Sequence, residues 1–205
     1  MARFVGRDNV RKRLAPLEGE PGRTSYADGA VRIEHAGETL LVRPPFGLAH
    51  EGEYEVVRLA PLFAALAEDH VVGALLVRLG GYAIGVFEGE RLVASKVGSR
   101  FVKGRHKKGG YSANRFRRRR EGQAQALIDE AAETASTVLA SWRDRIEFIA
   151  LGGHRSAVTD VLAASSQLDW LAERALARFF TVAEPRQRVL ERLPYELYSA
   201  EFSGE

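Results

Sequence analysis

Residues 71–99 read "VVGALLVRLGGYAIGVFEGERLVASKVGS", and this stretch decides the fold class. Its opening, "VVGALLVRL", is an unbroken apolar run of strand length, as expected of a strand buried on both faces. Gly80-Gly81 supplies a two-residue turn of the kind hairpins prefer. "YAIGVF" returns as a second strand, Glu88-Gly89-Glu90 turns the chain again, and "RLVASKVGS" makes a third. Downstream, the spacing predicts a long helix from about Ala113 to Trp142. Leu127, Ala131, Thr134, Val138 and Trp142 step along one face, while Asp129, Glu130 and Glu133 take the solvated side. "IEFIALGG" (146–153) reads as a buried strand and "HRSAVTDVLAAS" (154–165) as a helix. "LDWLAERALA" (168–177) reads as another helix and "RFFTVAE" (178–184) as a last strand. "PRQRVLERL" (185–193) reads as a helix with Pro185 at its first position. The order βββ-α-β-α-β-α is that of an α/β layered fold with a mixed sheet, and it is also the outline of the ribonuclease H-like fold.

Working outward, residues 1–68 form a small, turn-rich N-terminal α+β unit, and residues 69–205 form the second domain. "NVRKRLAPL" (9–17) is a short helix with Asn9 as a possible N-cap. "EGEPGRTSYADG" (18–29) is expected to be loop. "AVRIEH" (30–35) and "ETLLVRP" (38–44) look like strands, and "LAPLFAALAED" (59–69) looks like a helix.

Composition narrows the chemistry. The chain has 205 residues and no cysteine, so disulfides, thiolate catalysis and Cys-ligated zinc are excluded. The five histidines, His35, His50, His70, His106 and His154, show no metal-binding spacing, so no metal and no cofactor are expected. Only Glu147 interrupts the predicted buried strands, too few carboxylates for a metal-dependent nuclease. "LGGHRS" (151–156) reads first as a tight strand-to-helix connection, and second as an anion site. No apolar leader opens the sequence and no stretch is long enough to span a bilayer. A cytoplasmic location and no membrane contact are the expectations.

Charge is where the sequence departs from an ordinary enzyme. The formal net charge is only +3. Yet Lys103, Arg105, Lys107, Lys108, Arg115, Arg117, Arg118, Arg119 and Arg120 supply nine of the 30 basic residues, with no acid among residues 103–120. The remainder is net acidic, 21 basic residues against 27 acidic. Such concentration suggests a localised polyanion contact. Inside the basic stretch, Gly109-Gly110 relaxes the backbone for a sharp turn or a close approach. A helix start follows, where N–H groups favour phosphate. Arginines near that positive end ask for an anionic partner. A plain solvated basic loop is the competing reading. Residues 99–112, glycine-rich and poor in apolar anchors, are expected to be mobile.

"HKKGGYSANRFRRRREGQAQALIDEAAETAS" (106–136) resembles the catalytic loop and following helix of the eukaryotic and archaeal class-one peptide-chain release factors. Gly109, Gly110, Ser112, Ala113, Arg115 and Phe116 fall on that pattern, as do "AAETAS" (131–136) and "IALGG" (149–153). The resemblance covers about residues 70–190. It is nearer still to the compact bacterial release-factor-like proteins of the VLRF group. It implies hydrolysis of the ester between peptide and tRNA, in rescue of stalled translation. Gly109, Gly110 and Tyr111 would be the catalytic tip. Lys103, Arg105, His106, Lys107, Lys108, Arg115, Arg117, Arg118, Arg119 and Arg120 would face RNA. The implied partners are the large ribosomal subunit and peptidyl-tRNA, with no DNA expected. The departure is Tyr111, which stands where the family carries its catalytic glutamine. Two readings stay open: a hydrolase weakened at this position, or a non-catalytic binder of the tRNA end or the large subunit. A protein-interaction domain with an incidental basic loop is the third.

Overall fold

The computed structural model of the chain describes residues 3–100 and 111–204, and all of their side chains except those of residues 111–117. The elements run β1 (Arg3–Gly6), α1 (Arg7–Leu14), β2 (Pro21–Ala27), β3 (Ala30–His35), β4 (Glu38–Arg43), β5 (Gly52–Val56) and α2 (Ala60–Ala67). They continue as β6 (Val71–Arg78), β7 (Gly81–Glu88), β8 (Arg91–Ser99), α3 (Tyr111–Ala140), β9 (Phe148–Gly153), α4 (Arg155–Ala163), α5 (Trp170–Glu173), α6 (Gln187–Leu197) and β10 (Ser199–Gly204). Contacts divide the chain into two units, Met1–Asp69 with Leu193–Glu205, and His70–Arg192. The whole is mixed α/β. No helix among the described residues is long and apolar enough to cross a membrane.

The unit formed by residues 70–192 holds a four-stranded sheet in the order β8-β7-β6-β9. The meander pairs antiparallel, and β9 adds parallel to β6 with Val72 opposite Phe148 and Val77 opposite Gly153. Parallel addition requires a long crossover, and α3 lies on it. The β6–β7 turn consists of Leu79 and Gly80, one residue earlier than the expected Gly80-Gly81. Gly81 is already paired with Arg78 and Ser99. One face of the sheet, through Leu75, Val77, Ile84 and Val86, packs on Leu127, Ala131, Ala135 and Leu139 of α3 and on Val158 and Val161 of α4. The buried stripe of α3 is therefore rotated from the expected one. Ala132, Ala135 and Leu139 are buried, while Thr134 and Val138 are only half-buried.

Residues 168–184 differ from expectation. The predicted helix shortens to the single turn α5. Arg174 diverts the chain: its guanidinium donates to the carbonyls of Arg143 (2.5 Å) and Ile146 (2.6 Å), and its own carbonyl accepts from Ile149 N–H (2.7 Å). The chain then runs beside β9, where Leu176 N–H donates to the Ile149 carbonyl and Phe180 N–H to the Leu151 carbonyl. The expected last strand at 178–184 is thus reduced to one isolated parallel bridge at Phe180, and a second bridge, at Ala175, falls in the expected helix.

The other unit holds a six-stranded antiparallel sheet in the order β1-β10-β4-β3-β2-β5. Val31, Ile33, Val42, Ala200 and Phe202 line its buried face, against Val10 and Leu14 of α1 and Leu62 and Leu66 of α2. The expected loop at 18–29 is largely strand β2. Its glycine and proline hide two buried positions, Thr24 and Tyr26. The Thr24 hydroxyl donates to the Val56 carbonyl and accepts from Arg58 N–H, and the Tyr26 hydroxyl donates to the Arg58 carbonyl. Asn9 does not cap α1. The helix starts two residues earlier, after Gly6, and Arg7 N–H donates to the Tyr198 carbonyl instead. Strand β10, which no sequence signal announced, sits between β1 and β4. Residues 199–204, which the sequence placed with the domain from residue 69, therefore belong to this sheet.

Candidate functional site

Helix α3 begins at Tyr111, two residues before the expected start. Its first N–H groups have no intrahelical acceptor, because each would have to bond four residues back. The positive end of the helix therefore falls on the residue that the family resemblance marks as catalytic. The same shift moves the arginine run. Arg117, Arg118, Arg119 and Arg120 lie in the second and third turns rather than the first. The helix dipole decays within one turn, so the electrostatic case against a bare arginine run is weaker than the sequence suggested.

Lys103, Arg105, His106, Lys107, Lys108, Gly109 and Gly110 lie outside the described residues, as does most of the stretch expected to be mobile. Tyr111, Arg115 and Arg117 are described by backbone alone. Arg118 and Arg119 are exposed and Arg120 is half-buried. Among the described residues, no carboxylate lies within ion-pair distance of these three arginines. Among the described side chains of α3, none between Arg118 and Ala126 is buried, and the first buried one is Leu127. From Arg118 to Leu127 the helix rises about 14 Å.

What holds α3 at the right place was not legible as a motif. The Tyr82 hydroxyl donates to Glu130 Oε1 at 3.1 Å and lies 3.1 Å from Thr134 Oγ1. Arg100, directly after β8, donates to Glu130 Oε2 at 3.0 Å. Glu130 is therefore not simply a solvated-face residue. It ties the middle of α3 to β7 and to the end of β8. The Tyr82 ring is 2% exposed, and burial pushes its hydroxyl pKa up. That ring needs Gly98: a Cβ there would lie 2.3 Å from the Tyr82 Cζ. Position 98 is thus glycine because an aromatic ring crosses it. The signal available in the sequence was the single glycine within the strand RLVASKVGS.

At the opposite end of the sheet, His70 Nδ1 lies 2.9 Å from Glu147 Oε2, and Val71 N–H donates to Glu147 Oε1 at 2.9 Å. Burial works against the Glu147 carboxylate, but the bonds from His70 and Val71 outweigh it and hold its pKa below the ordinary value. Glu147, weighed as a nuclease carboxylate, is thus engaged in joining β6 to β9. Among the described residues no group of three His, Asp or Glu side chains is placed to hold a metal ion. His154 is exposed, with Nδ1 2.9 Å from Ser156 Oγ.

The family described as the Actinobacteria/chloroflexi VLRF1 release factor matches residues 70–202, and the chain belongs to that family. It is also similar to peptide chain release factor subunit 1 of Archaeoglobus fulgidus, 30% identical over 95 residues, which is 46% of this chain and 23% of that one. Among solved structures, the archaeal translation termination factor aRF1 matches with a TM-score of 0.48 and 18% identity, over 93% of this chain and 54% of that one. Archaeoglobus fulgidus Pelota matches with a TM-score of 0.36 and 12% identity, over 96% of this chain and 63% of that one. The chain thus spans about a quarter of the length of the curated relative and about half of the solved aRF1 chain.

Proposed function

We propose that this protein is a cytoplasmic, ribosome-associated release factor that hydrolyses the ester of peptidyl-tRNA in rescue of stalled translation. The observation that carries the reading is the Gly109-Gly110-Tyr111-Ser112-Ala113 tip at the start of α3, within a chain of the VLRF1 release-factor family. In this reading Gly109 and Gly110 let the backbone approach the tRNA end closely. The Tyr111 N–H, at the positive end of α3, stabilises the oxyanion that forms when water attacks the ester carbonyl. Lys103, Arg105, His106, Lys107, Lys108, Arg115, Arg117, Arg118, Arg119 and Arg120 grip phosphates of tRNA and large-subunit RNA. No cofactor or metal takes part. We read the order β8-β7-β6-β9, with residues 175–180 beside β9, as the ribonuclease H-like outline. Residues 69–205 carry the activity, and residues 1–68 have no assigned role.

A second reading rests on one specific residue. Tyr111 keeps the backbone N–H but replaces an amide with a ring, which can stack on an unpaired base and keep water out. The protein would then occupy the site without cutting. Single-turnover peptide release from a stalled large subunit carrying peptidyl-tRNA, at saturating protein, decides between the two. Release well above background supports the hydrolase. Tight binding with release at background supports the binder and overturns the hydrolase.

A further inference from the structure

We infer that the His70–Arg192 unit has a second RNA-contacting surface, separate from the basic tip, at the end of the sheet where β6, β8 and β9 finish and α4 begins. It takes a ribose-phosphate backbone, and Arg155 is its principal contact. This inference rests on the functional reading above.

Strand register places the surface. Ser99 pairs with Gly81, Gly81 with Arg78, and Val77 with Gly153. The ends of β8, β6 and β9 therefore lie in one row, about 14 Å across at ordinary strand spacing. Gly153 turns the chain here at φ +102°, where a Cβ would meet the Val77 carbonyl oxygen at 2.1 Å. The turn is locked by His154 N–H donating to the Val77 carbonyl and Gly153 N–H donating to the Phe180 carbonyl. Helix α4 then starts at Arg155. Both α3 and α4 run back over the same face of the sheet from this end, so their positive ends point the same way.

The side chains at this end are cationic. Arg155 is exposed, and its guanidinium stacks over the Phe179 ring at 4.3 Å. Stacking restrains the planar fork before any ligand arrives, which lowers the ordering cost of gripping a phosphate with two N–H groups. Arg78 donates to the Val182 carbonyl at 2.9 Å, which holds it in place without neutralising it. Two carboxylates on neighbouring segments are paired, Glu184 with Arg186 (2.9 Å) and Glu130 with Arg100 (3.0 Å). Arg119 lies 11 residues before Glu130 on α3, about 16 Å further along the helix. Arg119 therefore stands apart from this row of strand ends.

The test is the salt dependence of binding to purified large ribosomal subunits, for the full chain and for Arg155→Gln, Arg155→Lys and the double change Arg118→Glu/Arg119→Glu. The expected result is a log–log slope about 1 shallower for Arg155→Gln than for the parent, with Arg155→Lys keeping the parent slope and all thermal midpoints nearly unchanged. A parent slope in Arg155→Gln, while Arg118→Glu/Arg119→Glu loses binding, overturns this surface and leaves the functional reading intact. Weaker binding of Arg155→Gln at an unchanged slope also overturns it, because the contact is then not a phosphate. No binding by the parent chain overturns the functional reading and this inference together.

Discussion

Under the proposed hydrolysis, a tyrosine and a glutamine at position 111 offer the same backbone N–H, so coarse oxyanion stabilisation persists with either. Glutamine adds an amide beside the attacking water, whereas the tyrosine hydroxyl lies farther out. Losing one positioned polar group at a reacting centre costs about 10²–10³ in rate. Tyr111→Gln should therefore raise single-turnover release by roughly that factor, and equal rates well above background would show that tyrosine is a competent replacement. A different residue decides whether the helix behind the tip is placed at all. Gly98→Ala puts a methyl group 2.3 Å from the Tyr82 ring, so ring or strand must move. The expected cost is about 1–3 kcal/mol, read as a lowered denaturation midpoint, and an unchanged midpoint would show that the Tyr82–Glu130 tie is loose. These two residues also mark what could be read from sequence. Tyr111 belongs to a contiguous motif whose meaning is local. Tyr82 and Glu130 are 48 positions apart, and nothing near either one announces the other.

For helix α3, the proposed binding rests on exposed arginines that take no part in the core. Arg118→Glu/Arg119→Glu should abolish association with large subunits at physiological salt and leave the thermal midpoint nearly unchanged, because exposed charges contribute little to stability. Binding that survives the change, or that ignores salt, would remove the electrostatic basis of the site. For the β6–β9 pair, the link is a titrating one. Glu147 ordinarily titrates near 4.5 and is held lower in the fold. Its contribution is present above the unfolded value and fades as pH falls through the folded one. The parent should accordingly lose stability more steeply below about pH 4.5 than Glu147→Gln does, and parallel acid curves would contradict the assignment. Elements with continuous apolar runs, β6, β7 and β9, were legible because burial on both faces writes itself into composition. Strands β2, β5 and β10 were not. They carry glycine, proline or charge, and β5 and β10 pair with strands remote in sequence. The predicted helix at 168–177 failed for a related reason: its periodicity was sound, but Arg174 has carbonyl partners in residues 143–146 that draw the backbone into extended pairing.

In the molecule as a whole, one unit is continuous in sequence and the other is not. Residues 70–192 close their own sheet and core, whereas β10 must reach β1 and β4 from the far end of the chain, with Arg3 paired to Phe202. Pairing across such a separation pays the full loop-closure entropy and is slow. Amides of β6 and β7 should therefore gain protection before those of β1 and β10 in pulsed hydrogen exchange during refolding. Simultaneous protection would mean that the two units fold as one. The same topology bears on biosynthesis. A nascent chain emerges with β1 and β4 each lacking the neighbour that separates them, two bare edges flanking a partly open apolar face for as long as residues 43–198 take to be made. Such edges invite pairing with other chains until residues 199–204 are made and fill the gap.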